Sequence, residues 1–198
     1  YANFSIDSLV DAQYYFSKLI NVKSKYASAA QYYSAYIAYQ NGLYITALNG
    51  FKNLIADEQF GSIIPYYITQ IYFFQQSYKK LIAFASPLLE NIIPSRKAEV
   101  NRLLAEAYYR TEDFENAIIH FTSYYEQVEQ LTPTVNFLLG QSYFNVGEFE
   151  NAINYLEKVS GFTDSISQFA TYSLGASYLK VQQFNYALQA FKKSASYS

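Results

Sequence analysis

Residues 139–156 read LGQSYFNVGEFENAINYL, and residues 174–191 read LGASYLKVQQFNYALQAF. Laid over one another, the two segments share Leu-Gly, a Tyr three residues past the Gly, a Phe six residues past that Tyr, and an Ala three residues later. The same pattern runs outward along the chain. An aromatic or Leu recurs at Leu9, Tyr44, Tyr78, Phe114, Phe149 and Phe184, at spacings of 35, 34, 36, 35 and 35 residues. Three residues after each stands Ala12, Ala47, Leu81, Ala117, Ala152 or Ala187. Four further on come Phe16, Phe51, Ala85, Phe121, Leu156 and Phe191. Six residues before the aromatic, from the second copy on, are Ala38, Tyr72, Tyr108, Tyr143 and Tyr178. A small residue lies three before those: Ala35, Thr69, Ala105, Gly140 and Gly175.

Residues three and four apart share one face of a helix. Each copy therefore predicts two short helices, the first carrying the small residue and the Tyr, the second carrying the aromatic, Ala and Phe. The small residues let backbones approach, and the large ones fill the flanking holes. The turns between paired helices fall at Asn41-Gly42, Thr111-Glu112-Asp113, Gly147-Glu148 and Gln182-Gln183. Gly suits the left-handed residue that ends a helix. The second full copy departs most, with Leu81 for Ala and Ala85 for Phe or Leu. This reads as a size exchange that keeps core volume. Pro87, late in that helix, is expected to kink or shorten it.

Gly140, Tyr143, Gly147, Phe149, Ala152 and Leu156 resemble the signature of the tetratricopeptide repeat, a helix–turn–helix unit of about 34 residues. The resemblance covers repeats at about 28–61, 62–95, 98–131, 133–166 and 168–198, after a half repeat at about 6–22. It implies an all-α fold: one array of antiparallel helix pairs over 1–198, wound into a right-handed superhelix, an α-solenoid. The family's first-helix Trp is absent. Asn101, Asn136 and Thr171 stand in its place.

Composition narrows the chemistry. The 198 residues include 23 Tyr and 16 Phe but no Trp, Cys or Met. Disulfides and Cys-based metal sites or nucleophiles are excluded. A net charge of −2, from 14 basic and 16 acidic residues, argues against nucleic acid, whose phosphates demand a basic face. No apolar run is long enough to span a bilayer. There is no P-loop, GxSxG, GxGxxG or HExxH, and no cofactor is expected. The one histidine, His120, lies off the packing face and is expected to be solvated or partly covered. The acids at Glu112, Asp113 and Glu115, and at Glu148 and Glu150, sit where a second helix begins, so they are read as helix N-terminal charges rather than a carboxylate pair. The chain is read as non-catalytic.

In arrays of this kind, first helices line the concave side, and ligands meet positions set by the small residue. The resemblance implies a partner-binding face of Tyr32, Tyr36, Tyr39, Tyr66, Gln70, Phe73, Arg102, Glu106, Tyr109, Arg110, Phe137, Gln141, Phe144 and Tyr172. Tyr and Arg are favoured interface anchors, so a peptide or protein partner is expected there. Packing between neighbouring helices weighs equally for each aromatic, and Arg102, Glu106 and Arg110 are spaced to pair along their helix. A clamp for a chaperone's C-terminal carboxylate is not implied, because its Lys and Asn positions hold mostly Tyr, Phe, Gln and Glu.

Two other readings are carried forward. With no polar capping repeat in evidence, the chain is read as a segment of a longer array or as an assembly module that self-associates through uncapped repeat ends. Sugar stacking on the Tyr faces is the less favoured one. The Tyr, Asn, Ile and Ser bias resembles envelope-associated repeat proteins of AT-rich bacteria, which implies a periplasmic or cell-envelope location.

Overall fold

A computed structural model describes residues 9–20, 22, 24–159 and 165–196. Among them are eleven α-helices and no strand. They are α1 (Leu9–Ile20), α2 (Ala27–Gln40), α3 (Tyr44–Lys52), α4 (Ile64–Phe74), α5 (Tyr78–Ala85), α6 (Pro94–Arg110), α7 (Phe114–Tyr125), α8 (Pro133–Val146), α9 (Phe149–Leu156), α10 (Ser165–Lys180) and α11 (Phe184–Ala195). The five predicted pairs are α2–α3, α4–α5, α6–α7, α8–α9 and α10–α11. Of the half repeat predicted at 6–22, α1 supplies Leu9–Ile20, while residues 6–8 and 21 lie outside the described set, as do the side chains of Leu9 and Ala12.

The turn chemistry recurs with the repeat. The residue that swings to positive φ is Gly42, Gln76, Glu112, Gly147 and Gln182 in the five pairs. Just past it, a backbone N–H reaches back five residues: Leu43 to Ala38 (2.8 Å), Ser77 to Tyr72 (2.8 Å), Asp113 to Tyr108 (3.0 Å), Glu148 to Tyr143 (2.9 Å) and Gln183 to Tyr178 (2.8 Å). This closes a Schellman-type cap and satisfies carbonyls the first helix would otherwise strand. Asp113 caps the next helix, its carboxylate accepting from the Asn116 N–H. Asp113 thus takes the helix-starting role expected of it, and Glu115 and Glu150 stand in the first turns of their helices, whereas Glu148 makes no side-chain cap bond and Glu112 is the turn residue itself.

The chain packs as two compact units, Tyr1–Val100 and Asn101–Ser198. In the first, each helix packs on its sequence neighbours from α1 to α5, around buried Ala35, Ala47, Phe51, Ile64, Ile68, Ile71, Leu81 and Ala85. Leu81 and Ala85 are fully buried, so the exchanged sizes do fill that core. α5 ends at Ala85, and Pro87 sits in a 3-10 turn, Ser86–Asn91. The shortening follows from a ring that cannot supply an N–H to the helix.

In the second unit, α8 packs on α7 and α9, and α10 lies against α8, α9 and α11. Close approach explains the two glycines inside its first helices, Gly140 and Gly175. A Cβ on Gly140 would come within 2.8 Å of Leu156 Cγ, and one on Gly175 within 2.9 Å of the Phe191 ring. Each first helix thus offers a notch that the large residue of its own second helix fills. At the missing Trp position, Asn101, Asn136 and Thr171 are all buried. A polar residue there needs an internal partner. Thr171 Oγ1 donates to the Ser167 carbonyl at 2.7 Å, and Asn101 Oδ1 accepts from His120 Nδ1 at 2.9 Å. Asn136 Nδ2 makes a long 3.4 Å bond to the Leu131 carbonyl, and its buried Oδ1 has no partner among the described residues.

Candidate functional site

The first helices of the first unit, α2 and α4, carry seven of the chain's 23 tyrosines, and the fold gathers Tyr32, Tyr36, Tyr39, Tyr66 and Tyr67 into one cluster. Tyr39 Oη donates to Gln70 Oε1 at 2.7 Å. Gln70 Nε2 in turn donates to Tyr66 Oη at 2.9 Å. Both bonds follow from the repeat: Tyr39 closes α2, and Gln70 is one residue past the small Thr69 of α4, so the two face each other across adjacent first helices. Tyr36 stacks beside Tyr39 with ring centroids 6.4 Å apart. The Arg96 guanidinium lies 4.8 Å from the centre of the Tyr66 ring, a cation–π distance. Tyr36, Tyr39, Tyr66 and Gln70 are all half-buried, with one edge against the core and one towards solvent.

Tyr32 is held more deeply. Its ring stacks on Phe60 at 4.5 Å, and its hydroxyl lies 3.1 Å from that of Tyr67. Burial, and then that bond, raise the Tyr32 phenol above its ordinary range. Burial also pushes Tyr39 up to about 12. It raises Tyr66 too, although the charge of Arg96 opposes the shift. All three phenols are neutral donors at physiological pH.

Tyr67, not among the expected face residues, is the hub of this cluster. Its ring meets Tyr32, Tyr36 and Tyr39 edge-on and stacks on Phe51 at 5.0 Å. The repeat gave no sign of it. The equivalent position holds Tyr33 in the first full copy but Leu103, Leu138 and Ser173 in the later ones, so no residue type runs through all the repeats to mark it.

Several other expected residues are engaged in packing. Four repeats share an edge-on or tilted aromatic pair across the turn: Tyr39 with Tyr44, Phe73 with Tyr78, Tyr109 with Phe114 and Phe144 with Phe149, at 5.7–6.3 Å. The first ring of each pair closes the first helix and the second opens the next, five residues on. Phe137 and Phe144 also pack, partly buried, on the core of the following repeat. Arg102 pairs with Glu106 one turn along α6. Gln141 Oε1 accepts from Ser173 Oγ at 2.9 Å. Arg110 and Tyr172 are exposed.

His120 is half-buried. Its Nδ1–H donates to Asn101, and its ring stacks on Tyr108 at 5.3 Å. Burial lowers its pKa. It is thus partly covered, as expected. Among the described residues, no three His, Asp or Glu side chains gather where a metal could bind, and no helix is long and apolar enough to cross a membrane.

Comparison with known proteins agrees with this geometry. The family model described as anaphase-promoting complex, cyclosome, subunit 3 matches residues 112–194. Among solved structures, YrrB, described as a TPR protein with an unusual peptide-binding site, is similar with a TM-score of 0.72 at 16% identity over 92% of each chain. The AMB-1 form of MamA has a TM-score of 0.71 at 16% identity, covering 87% of this chain and 92% of its own. MamA from Desulfovibrio magneticus RS-1 has a TM-score of 0.64 at 12% identity, covering 94% of this chain and 95% of its own. No curated protein sequence matches.

Proposed function

Starting from a chain that has the tetratricopeptide-repeat fold, we propose that it is a non-catalytic protein-interaction scaffold that holds a peptide or protein segment on its first-helix faces. The observation that carries this reading is the Tyr39–Gln70–Tyr66 hydrogen-bond row. Each bond in it runs the same way, donor to acceptor, and ends on the Tyr66 hydroxyl. That hydroxyl accepts from Gln70 and retains its own proton to donate. A row fixed internally and open along one edge is pre-organised, so little side-chain entropy is lost when a partner arrives. The Tyr66 hydroxyl and the Arg96 guanidinium together suit a backbone carbonyl or carboxylate, and the ring of Tyr36 offers a flat apolar surface beside them. Tyr32 and Phe73 support this face by packing within the first unit; on the second unit, by itself, Tyr109, Phe137 and Phe144 pack within their own repeats and Arg110 and Tyr172 are exposed.

Displayed peptides selected against the whole chain provide the test. Peptides that use this face should lose about tenfold in affinity with Tyr66→Phe, which removes only the hydroxyl, and more with Tyr36→Ala. Selected peptides indifferent to both variants, or no selected peptide at all, would remove the proposal.

A further inference from the structure

The tyrosine row of the first unit is also a ladder of rings. Tyr36 stacks on Tyr39 at 6.4 Å, Tyr39 meets Phe74 at 6.4 Å, and Phe74 stacks on Tyr44 at 5.7 Å. Tyr39 and Phe74 lie in the last turns of α2 and α4, and Tyr44 opens α3. Phe74 is 51% exposed and the three tyrosines are half-buried, so ring edges along the ladder stay open to solvent.

The polar groups left open beside these rings can all donate. The Tyr36 and Tyr44 hydroxyls make no hydrogen bond among the described residues. Tyr66 keeps its proton after accepting from Gln70. The Arg96 guanidinium lies on the Tyr66 ring and takes no ion pair among the described residues. Of the two charges that act on the Tyr66 phenol, Arg96 outweighs Glu99, so this part of the face is positive.

That combination selects among backbone conformations. An α-helix has its carbonyls already bonded within itself. A strand brings an N–H for every C=O and seeks a sheet edge, and no strand occurs among the described residues. A polyproline II segment leaves every carbonyl free for a hydroxyl, its prolines bring no N–H that the face would strand, and their rings pack on aromatic surfaces. Its shape is formed before binding, so little entropy is lost. It rises about 3.1 Å per residue, so the two 6.4 Å steps from Tyr36 to Phe74 span at most about four residues.

We propose that the partner segment is proline-rich and binds as a polyproline II helix across Tyr36, Tyr39, Phe74 and Tyr44, with an acidic residue beside the prolines meeting Arg96. This inference rests on the scaffold reading above and names the ligand of the same face.

Fluorescein-labelled peptides titrated by anisotropy with the full chain provide the test. One carries six prolines between two glutamates, one six prolines between two lysines, and one alternating alanine and glycine between two glutamates. The first should bind at least about tenfold tighter than the other two. Phe74→Ala should weaken it about tenfold. Arg96→Glu should shift the preference to the lysine-flanked prolines, a gain that a misfolded protein cannot produce. Absence of binding by the proline peptides, or equal binding of the proline and alanine–glycine peptides, would overturn the proposal. So would a flank preference that Arg96→Glu leaves unchanged. The two readings of this face fail differently. Displayed peptides that lack proline yet lose affinity with Tyr66→Phe and Tyr36→Ala would overturn this inference and leave the scaffold standing. Displayed peptides indifferent to both variants would remove the two together.

Discussion

His120 shows how one side chain connects repeat packing to solution behaviour. It is the chain's one histidine, and its neutral ring bonds Asn101 while stacking on Tyr108. A second proton would have to sit on a half-buried ring, so burial holds the folded-state pKa below the ordinary 6.5. The unfolded chain therefore takes up a proton first as pH falls. The stability that the neutral ring provides is complete above about pH 6.5 and is lost as pH drops below it towards the folded-state value. The urea midpoint should fall between about pH 7.5 and pH 5.5, and His120→Gln, which keeps a donor for Asn101, should flatten that window. An equal fall in the variant would assign the effect to other groups. Sequence spacing placed His120 off the packing face, and that was enough to foresee partial cover. It could not foresee the bond to Asn101, because that pair is not repeated: one repeat on, Tyr155 stands for His120, it stacks on Tyr143, and the Asn136 oxygen has no partner among the described residues. Tyr67 escaped for the same reason. Periodicity reveals what recurs, and contacts made once in the molecule leave no trace in it.

Helices and turns were the most legible scale, since several positions agree in phase and each has a mechanical role. Gly140 and Gly175 marked the close approach, Phe121 and Leu156 the fillers, and Pro87 the shortened helix. The turns were legible only in part. Gly42 and Gly147 take positive φ where glycine costs little, but Gln76, Glu112 and Gln182 take it as well, where an L side chain crowds its own carbonyl. The capping bond from the next N–H is retained at all five, so the cap geometry overrides residue preference. This locates removable strain. Gln182→Gly should raise stability by about 1 kcal/mol, read as a higher thermal midpoint, because the relief of left-handed strain exceeds the added entropy of the unfolded chain. The exposed Gln182 side chain has little packing to lose. An unchanged or lower midpoint would show that the turn is not strained.

At the scale of the molecule, the helix contacts within each unit, among the described residues, link elements that are neighbours or next neighbours in the chain. The same short-range wiring governs how the molecule opens. When each repeat contacts only those beside it, stability is a sum of repeat and interface terms, and damage stays near its origin. Phe121 is fully buried among Ala105, Ala117, Val135, Leu138 and Leu139, so Phe121→Ala should cost about 3–5 kcal/mol locally. Hydrogen exchange would then show amides of α7, α8 and α9 losing protection while those of α2 and α3, in the first unit, keep theirs. Uniform loss along the chain would instead mean that 1–198 opens as one cooperative domain. The outcome bears on function, because a scaffold whose units open independently can lose structure in the second unit while the Tyr39–Gln70–Tyr66 row of the first stays formed.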